Sequence, residues 1–96
     1  MDMNYRFVIE FKDFSDEVKH VITAISDYAL ERKFIVNIKN TKLEIEGTGL
    51  PSDFSNVGLI ITSLKKQPIF YKNAKKWLFY DMDNNVEDLL ERYHLR

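Results

Sequence analysis

The period of the apolar residues changes early in the chain, and this change restricts the fold more than any other feature of the sequence. From Tyr5 to Phe11, apolar residues occupy every second position, as in a strand with one buried face. Ser15 then precedes two acids, which is typical of a helix N-terminus. The apolar residues that follow lie on one stripe at helical spacing: Val18, Val21, Ile22, Ile25, Tyr28 and Ala29. A strand followed directly by an amphipathic helix predicts an α+β protein.

The next two apolar runs again have a period of two. Residues 34–38 alternate, residues 42–46 alternate, and the short segment Asn40–Thr41 separates them. This arrangement predicts a β-hairpin.

Residues 47–66 have two interpretations. Pro51, Ser52 and Asp53 are typical of a helix start, and the apolar residues that follow keep helical spacing. Residues 57–64 are also rich in β-branched side chains, which favour a strand. We prefer the helix, and the strand remains open.

The last third of the chain predicts a second hairpin and a final helix. Residues 69–72 and 76–81 form its strands, Asn73–Lys75 form its turn, and a stripe that begins at Val86 indicates the helix. The predicted order is β-α-β-β-α-β-β-α in a single domain spanning residues 1–96. We expect a mostly antiparallel sheet with helices on one face, formed by a ferredoxin-like core with an extra strand and a C-terminal helix. If residues 57–64 were a strand, the sheet would be a longer meander.

Composition restricts the function before any motif is considered. The chain has no cysteine, and its 14 basic and 15 acidic residues give a formal net charge of −1. Disulfides and cysteine-ligated zinc are therefore excluded, as is attraction of the whole molecule to nucleic acid or anionic lipid. No stretch approaches the roughly 20 apolar residues of a membrane span, and no apolar leader region is present. We expect a cytoplasmic protein without membrane association. An excess of Lys over Arg, with many Ile and Asn, indicates a low-GC bacterium or its phage.

The segment from Phe54 to Tyr80 contains no acid, and its second half alternates lysines with aromatic residues. Helices on one face of a small sheet cannot cover both faces of the predicted hairpin, so some of these rings should remain exposed. Exposed rings with lysines around them are typical of a protein-binding or dimer surface. The predicted contact residues are Phe70, Lys72, Lys76, Trp77 and Tyr80.

The same segment allows an alternative function, in which the lysines contact phosphates and the rings stack on the bases of a single-stranded nucleic acid. Lys72, Lys75 and Lys76 would carry the charge. A purely structural interpretation is also open, because a hairpin with two apolar faces can simply form the centre of a sheet.

Catalytic and metal-binding patterns are incomplete in this sequence. His20 and Asp16 have the spacing of a metal-binding pair on a helix, but no third ligand is evident. Residues 81–92 begin like a calcium-binding loop, yet Val86 stands where the loop needs glycine and Arg92 where it needs glutamate. We therefore predict a non-enzymatic regulator, inhibitor or adaptor that binds a partner protein or a second copy of itself, with no catalytic residues, metal or cofactor.

Overall fold

The computed structural model describes residues 4–95 of the protein as a five-stranded antiparallel sheet with four helices. In chain order the elements are β1 (Arg6–Phe11), α1 (Asp16–Glu31), β2 (Ile35–Lys39), β3 (Lys42–Glu46), α2 (Asp53–Lys65), α3 (Pro68–Asn73), β4 (Ala74–Tyr80), β5 (Val86–Asp88) and α4 (Leu89–Arg92). The strands lie in the order β2-β3-β1-β4-β5. The predicted α+β class with an antiparallel sheet is confirmed. The predicted domain bounds include residues 1–3 and 96, which lie outside the described range.

One face of the sheet carries the core. The side chains of Phe7, Ile9 and Phe11 alternate with partly exposed neighbours along β1, and all three are buried. Ile9 lies opposite Leu43 of β3 and Trp77 of β4, so the buried side chains continue across three strands. The apolar stripe of α1 and the buried apolar residues of α2, α3 and α4 belong to the same cluster. The central strand β1 therefore organises the core.

Helix α1 forms where the sequence predicts it. Its N-cap is Ser15, whose hydroxyl accepts a hydrogen bond of 3.3 Å from the backbone N–H of Val18. The helix ends before Lys33, which has a positive φ of 70° and turns the chain into β2.

Residues 57–64 belong to a helix, α2, and do not form a strand. Val57, Ile60 and Leu64 are buried at helical spacing against the core, and this packing outweighs the strand preference of their β-branched neighbours.

Asp53 fixes the start of α2 from inside the protein. The residue is 2 % exposed, and its carboxylate accepts hydrogen bonds from the Thr48 backbone (2.8 Å), the Thr48 hydroxyl (2.7 Å) and the Gly49 backbone (2.9 Å). A Cβ atom at Gly47 would lie 2.7 Å from an Asp53 carboxylate oxygen, so this position requires glycine. The loop before α2 is thus held by a buried carboxylate whose charge is met by three donors.

The predicted second hairpin is wrong, because residues 69–72 lie in the short helix α3. Pro68 occupies the first turn of α3, where a missing backbone N–H has no cost, and Phe70 is buried. Strand β4 pairs instead with β1 and β5.

The predicted C-terminal helix begins too early. Val86–Asp88 form strand β5, in which Val86 lies opposite Tyr80, and only Leu89–Arg92 are helical. The Asp88 side chain accepts a hydrogen bond of 3.3 Å from the Glu91 backbone and caps this short helix.

Candidate functional site

The structure separates the five residues predicted to form a binding surface. Phe70 and Trp77 are both 0 % exposed. Their ring planes are perpendicular and their centroids lie 5.1 Å apart, and Phe70 also packs edge-on against Phe11 at 5.9 Å. These two rings form part of the core, which answers a question that the sequence leaves open and removes both from the predicted contact surface. The reason is that α3 replaces the predicted strand and directs Phe70 inward. Because they are buried, these two rings also cannot stack on the bases of a nucleic acid, as the alternative function requires.

The other three residues lie apart from one another on the surface. Lys72 is exposed near the end of α3, where its carbonyl accepts a hydrogen bond of 3.0 Å from the Lys12 ammonium group. Lys76 is exposed opposite Glu10, on the sheet face away from the core. Tyr80 is half-buried on that face, and the guanidinium of Arg6 lies 4.3 Å from the centre of its ring. The five predicted contact residues therefore do not form one continuous surface.

A different surface concentrates exposed aromatic groups. It is a groove of about 370 Å³ between α2 and the C-terminal elements. We call it the α2 groove, and it is lined by Tyr5, Phe54, Val57, Gly58, Ile61, Phe79, Asp81, Glu87, Arg92 and Tyr93.

Three rings form one wall of the α2 groove. Tyr5 stacks on Phe79 with centroids 5.7 Å apart and an interplanar angle of 15°. Tyr5 also contacts Phe54 at 6.4 Å, and Phe79 contacts the buried Phe7 at 5.1 Å. Phe54 is nevertheless 72 % exposed, the largest exposure among the large apolar residues of the described range. The wall is thus anchored in the core by Phe79 and open to solvent at Phe54.

Gly58 leaves a gap in the floor of the groove. It shares one helical face with Phe54, Val57 and Ile61, at spacings of four, one and three residues. A Cβ atom added at Gly58 would meet no atom within 4 Å, so close packing does not explain the glycine. Glycine inside a helix costs about 1 kcal/mol relative to alanine. The glycine therefore leaves an open space beside Phe54.

The rim of the groove is charged. Glu87 and Arg92 form an exposed ion pair, and the hydrogen bond between them raises the pKa of Arg92. The Asp81 carboxylate accepts hydrogen bonds from the backbone and side-chain amides of Asn85 and from the backbone of Asp83, which lower the pKa of Asp81. Asp81 is therefore ionised at neutral pH, and because Glu87 is paired with Arg92, Asp81 gives the rim a net negative charge.

The sequence contained half of this site. Phe54, Val57 and Ile61 are visible as an apolar helical pattern, and their common face with Gly58 could have been noticed. The rim could not, because it depends on Val86–Asp88 forming a strand beside Tyr80 and so bringing residues 81–93 around Phe79.

The arrangement is suited to burying apolar side chains between rings, with carboxylates at the margin to select basic neighbours. Among residues 4–95, no group of three or more His, Asp or Glu side chains is placed to hold a metal ion. None of the helices between residues 4 and 95 has the length and apolar character needed to cross a membrane. Comparisons with protein families, with curated proteins and with solved structures gave no match to this chain.

Proposed function

We propose that the protein is a non-enzymatic binding module, acting as a regulator, inhibitor or adaptor in the cytoplasm, and that the α2 groove receives a short apolar segment of a partner protein. The exposure of Phe54 beside the stacked pair Tyr5–Phe79 carries this proposal. An exposed Phe contacting solvent on most of its surface gains about 1.5–3 kcal/mol when it is fully covered. Aromatic side chains in partly preformed pockets are the usual anchors of protein contacts.

The charges at the rim specify the chemistry of the segment. Residues 81–91 contain five acids and no basic residue, and of the charged groups in the groove itself Glu87 is paired with Arg92 while Asp81 supplies a net negative charge. Complementary potentials favour a partner segment in which Lys or Arg flanks the apolar side chains. The predicted role in protein binding is thus retained, but at a surface other than residues 69–80.

We also propose that the first four strands belong to a ferredoxin-like core. The strand order β2-β3-β1-β4, with α1 joining β1 to β2 and the pair α2–α3 joining β3 to β4, supports a ferredoxin-like core. Strand β5 and helix α4 then form an addition to that core, and this addition supplies one side of the α2 groove.

Substitutions at Gly58 test the groove without disturbing the core. Gly58→Gln places a helix-favouring polar side chain in the gap, whereas Gly58→Ala changes the helix propensity but leaves the groove open. Both should stabilise α2 by about 0.5–1 kcal/mol, so that a loss of binding cannot come from unfolding. Leu59→Gln is a matched control, because Leu59 is an exposed apolar residue of α2 outside the groove.

The probe is a phage-displayed library of random peptides selected against the wild-type protein. We expect enriched peptides that combine apolar residues with Lys or Arg. Their dissociation constants, measured by isothermal titration calorimetry, should rise at least about tenfold for Gly58→Gln, a difference of roughly 1.4 kcal/mol. They should stay unchanged for Gly58→Ala and Leu59→Gln. The proposal is wrong if no peptide is enriched, or if the enriched peptides bind Gly58→Gln as tightly as wild type.

A further inference from the structure

Strand β2 forms one edge of the sheet, and no other strand of the described chain covers its outer side. Ile35 and Ile38 are 55 % and 51 % exposed. The pairing of β2 with β3 runs without a bulge from Ile35 to Lys39, and the strand contains no proline. Regular edges without a bulge or proline readily add another strand, and proteins usually interrupt them.

The backbone groups at this edge can be assigned from the neighbouring strands. The backbone of Phe11 donates to the Thr41 carbonyl (2.8 Å), and that of Gly47 donates to the Tyr5 carbonyl (2.7 Å). Odd-numbered residues of β3 therefore direct their backbone groups toward β1, and even-numbered residues direct theirs toward β2.

The register of the hairpin then determines which residues of β2 face outward. Lys42, Glu44 and Glu46 lie opposite Lys39, Asn37 and Ile35. In an antiparallel pair, the N–H and C=O of one residue point to the same side. The backbone groups of Val36 and Ile38 are consequently directed away from β3, toward the open edge.

We propose that two copies of this chain associate through β2, antiparallel about a two-fold axis at Asn37, to form a continuous ten-stranded sheet. In this register Val36 of one copy lies opposite Ile38 of the second copy. The outward N–H and C=O groups of the two residues then form two hydrogen bonds, and the symmetry-related pair forms two more. Asn37 lies opposite Asn37 of the second copy, and Ile35 lies opposite Lys39. No two like charges face each other across the new pair of strands.

The charges of the β2–β3 hairpin favour a second copy as the occupant of this edge. Lys39 lies directly opposite Lys42 at the turn, an unfavourable pair of like charges, and Glu46 lies at the other end of the hairpin beside Ile35. Antiparallel association about Asn37 places Lys39 of one hairpin opposite Ile35 of the other, in a row that continues to Glu46 and Arg6 of the second copy. Lys39 then shares a row with Glu46 of the second copy, two strands away. The edge is thus complementary to itself in hydrogen bonding, and the attraction between Lys39 and Glu46 of the second copy adds to it across a separation of two strands.

Charge substitutions at Asn37 test the register. Asn37 is exposed and lies opposite Glu44, so Asn37→Lys should fold normally and Asn37→Asp should fold with a small loss of stability from like-charge repulsion, which circular dichroism melts will verify. Each variant alone places two like charges opposite each other at the two-fold axis. A mixture of the two variants places Lys opposite Asp.

Sedimentation equilibrium of the full chain up to about 1 mM should show a monomer–dimer equilibrium for wild type. Each single variant should dimerise at least about tenfold more weakly, and the equimolar mixture should recover the association. Thr62→Lys and Thr62→Asp, at an exposed position of α2, should leave the equilibrium unchanged, as should Gly58→Gln, so this result does not depend on the α2 groove.

Three outcomes would overturn the proposal: wild type that stays monomeric at the highest concentration, single variants that dimerise as strongly as wild type, or a mixture that associates no better than its components. The first would leave β2 available to a strand of another protein, and the second would place the dimer contact elsewhere.

Discussion

Trp77 lies at the centre of the core, with the ring of Phe70 perpendicular to it at 5.1 Å and Ile9 opposite it on β1. Replacing it with alanine should lower the free energy of unfolding by about 3–5 kcal/mol, because the cavity cannot close between a strand and a helix. Tyr80→Ala should cost much less, since Tyr80 is only half-buried on the opposite face of the sheet. Urea denaturation followed by circular dichroism measures both values. A Trp77→Ala protein as stable as Tyr80→Ala would show that the ring is not part of the core.

The position of these rings could not be predicted from residue types alone. Phe70 and Trp77 flank a run of lysines, and both an exposed hairpin and a central strand produce that pattern. Pro68 is the residue that indicates a helix here, because proline is favoured in the first turn of a helix and α3 begins at Pro68. Once α3 replaces a strand, Phe70 faces Phe11 and the core, and the lysines remain outside.

The elements differ in how far the sequence determines them. Helix α1 and the β2–β3 hairpin contain several periods of one pattern together with their own end signals, so local preferences and tertiary packing agree. Strand β5 has only three residues, too few to show a period, and it exists because it pairs with β4. The helical half of the α2 groove was therefore accessible from the sequence, whereas the half that depends on β5 was not.

The turn between β4 and β5 depends on the charge of Asp81. The Asn85 backbone N–H, the Asn85 side chain and the Asp83 backbone N–H all donate to this carboxylate, and they lower its pKa below the ordinary 3.8. A lowered pKa in the folded state means that the stabilisation is complete above pH 3.8 and is lost as the pH falls through the lower, folded value. We expect the turn to loosen only below pH 3.8.

Amide chemical shifts measured by NMR test this expectation. The backbone amide of Asn85 should titrate with a midpoint below 3.8, and Asp81→Asn should abolish that titration. A midpoint at or above 3.8 would mean that these donors do not favour the ionised carboxylate.

Across the whole molecule, the two proposed surfaces lie at opposite edges of the sheet. Strand β2 is one edge, and the α2 groove is built beside β4 and β5 at the other. Association through β2 would therefore leave both grooves of a dimer open. A two-fold assembly would then present two copies of the same peptide site, which increases the effective affinity for a partner that carries repeated segments.

The same sheet order predicts how protection from hydrogen exchange is distributed. Strand β1 pairs with a strand on each side, and its alternate side chains are buried, so its amides should exchange last, at a rate set by global unfolding. In dilute solution the amides of Val36 and Ile38 should exchange quickly, while that of Asn37, directed toward β3, is protected. At concentrations that populate the dimer, Val36 and Ile38 alone within β2 should gain protection. Exchange that is uniform along β2 at low concentration would contradict the assignment of its outward-facing amides, and β1 exchanging before β3 would contradict its central place in the sheet.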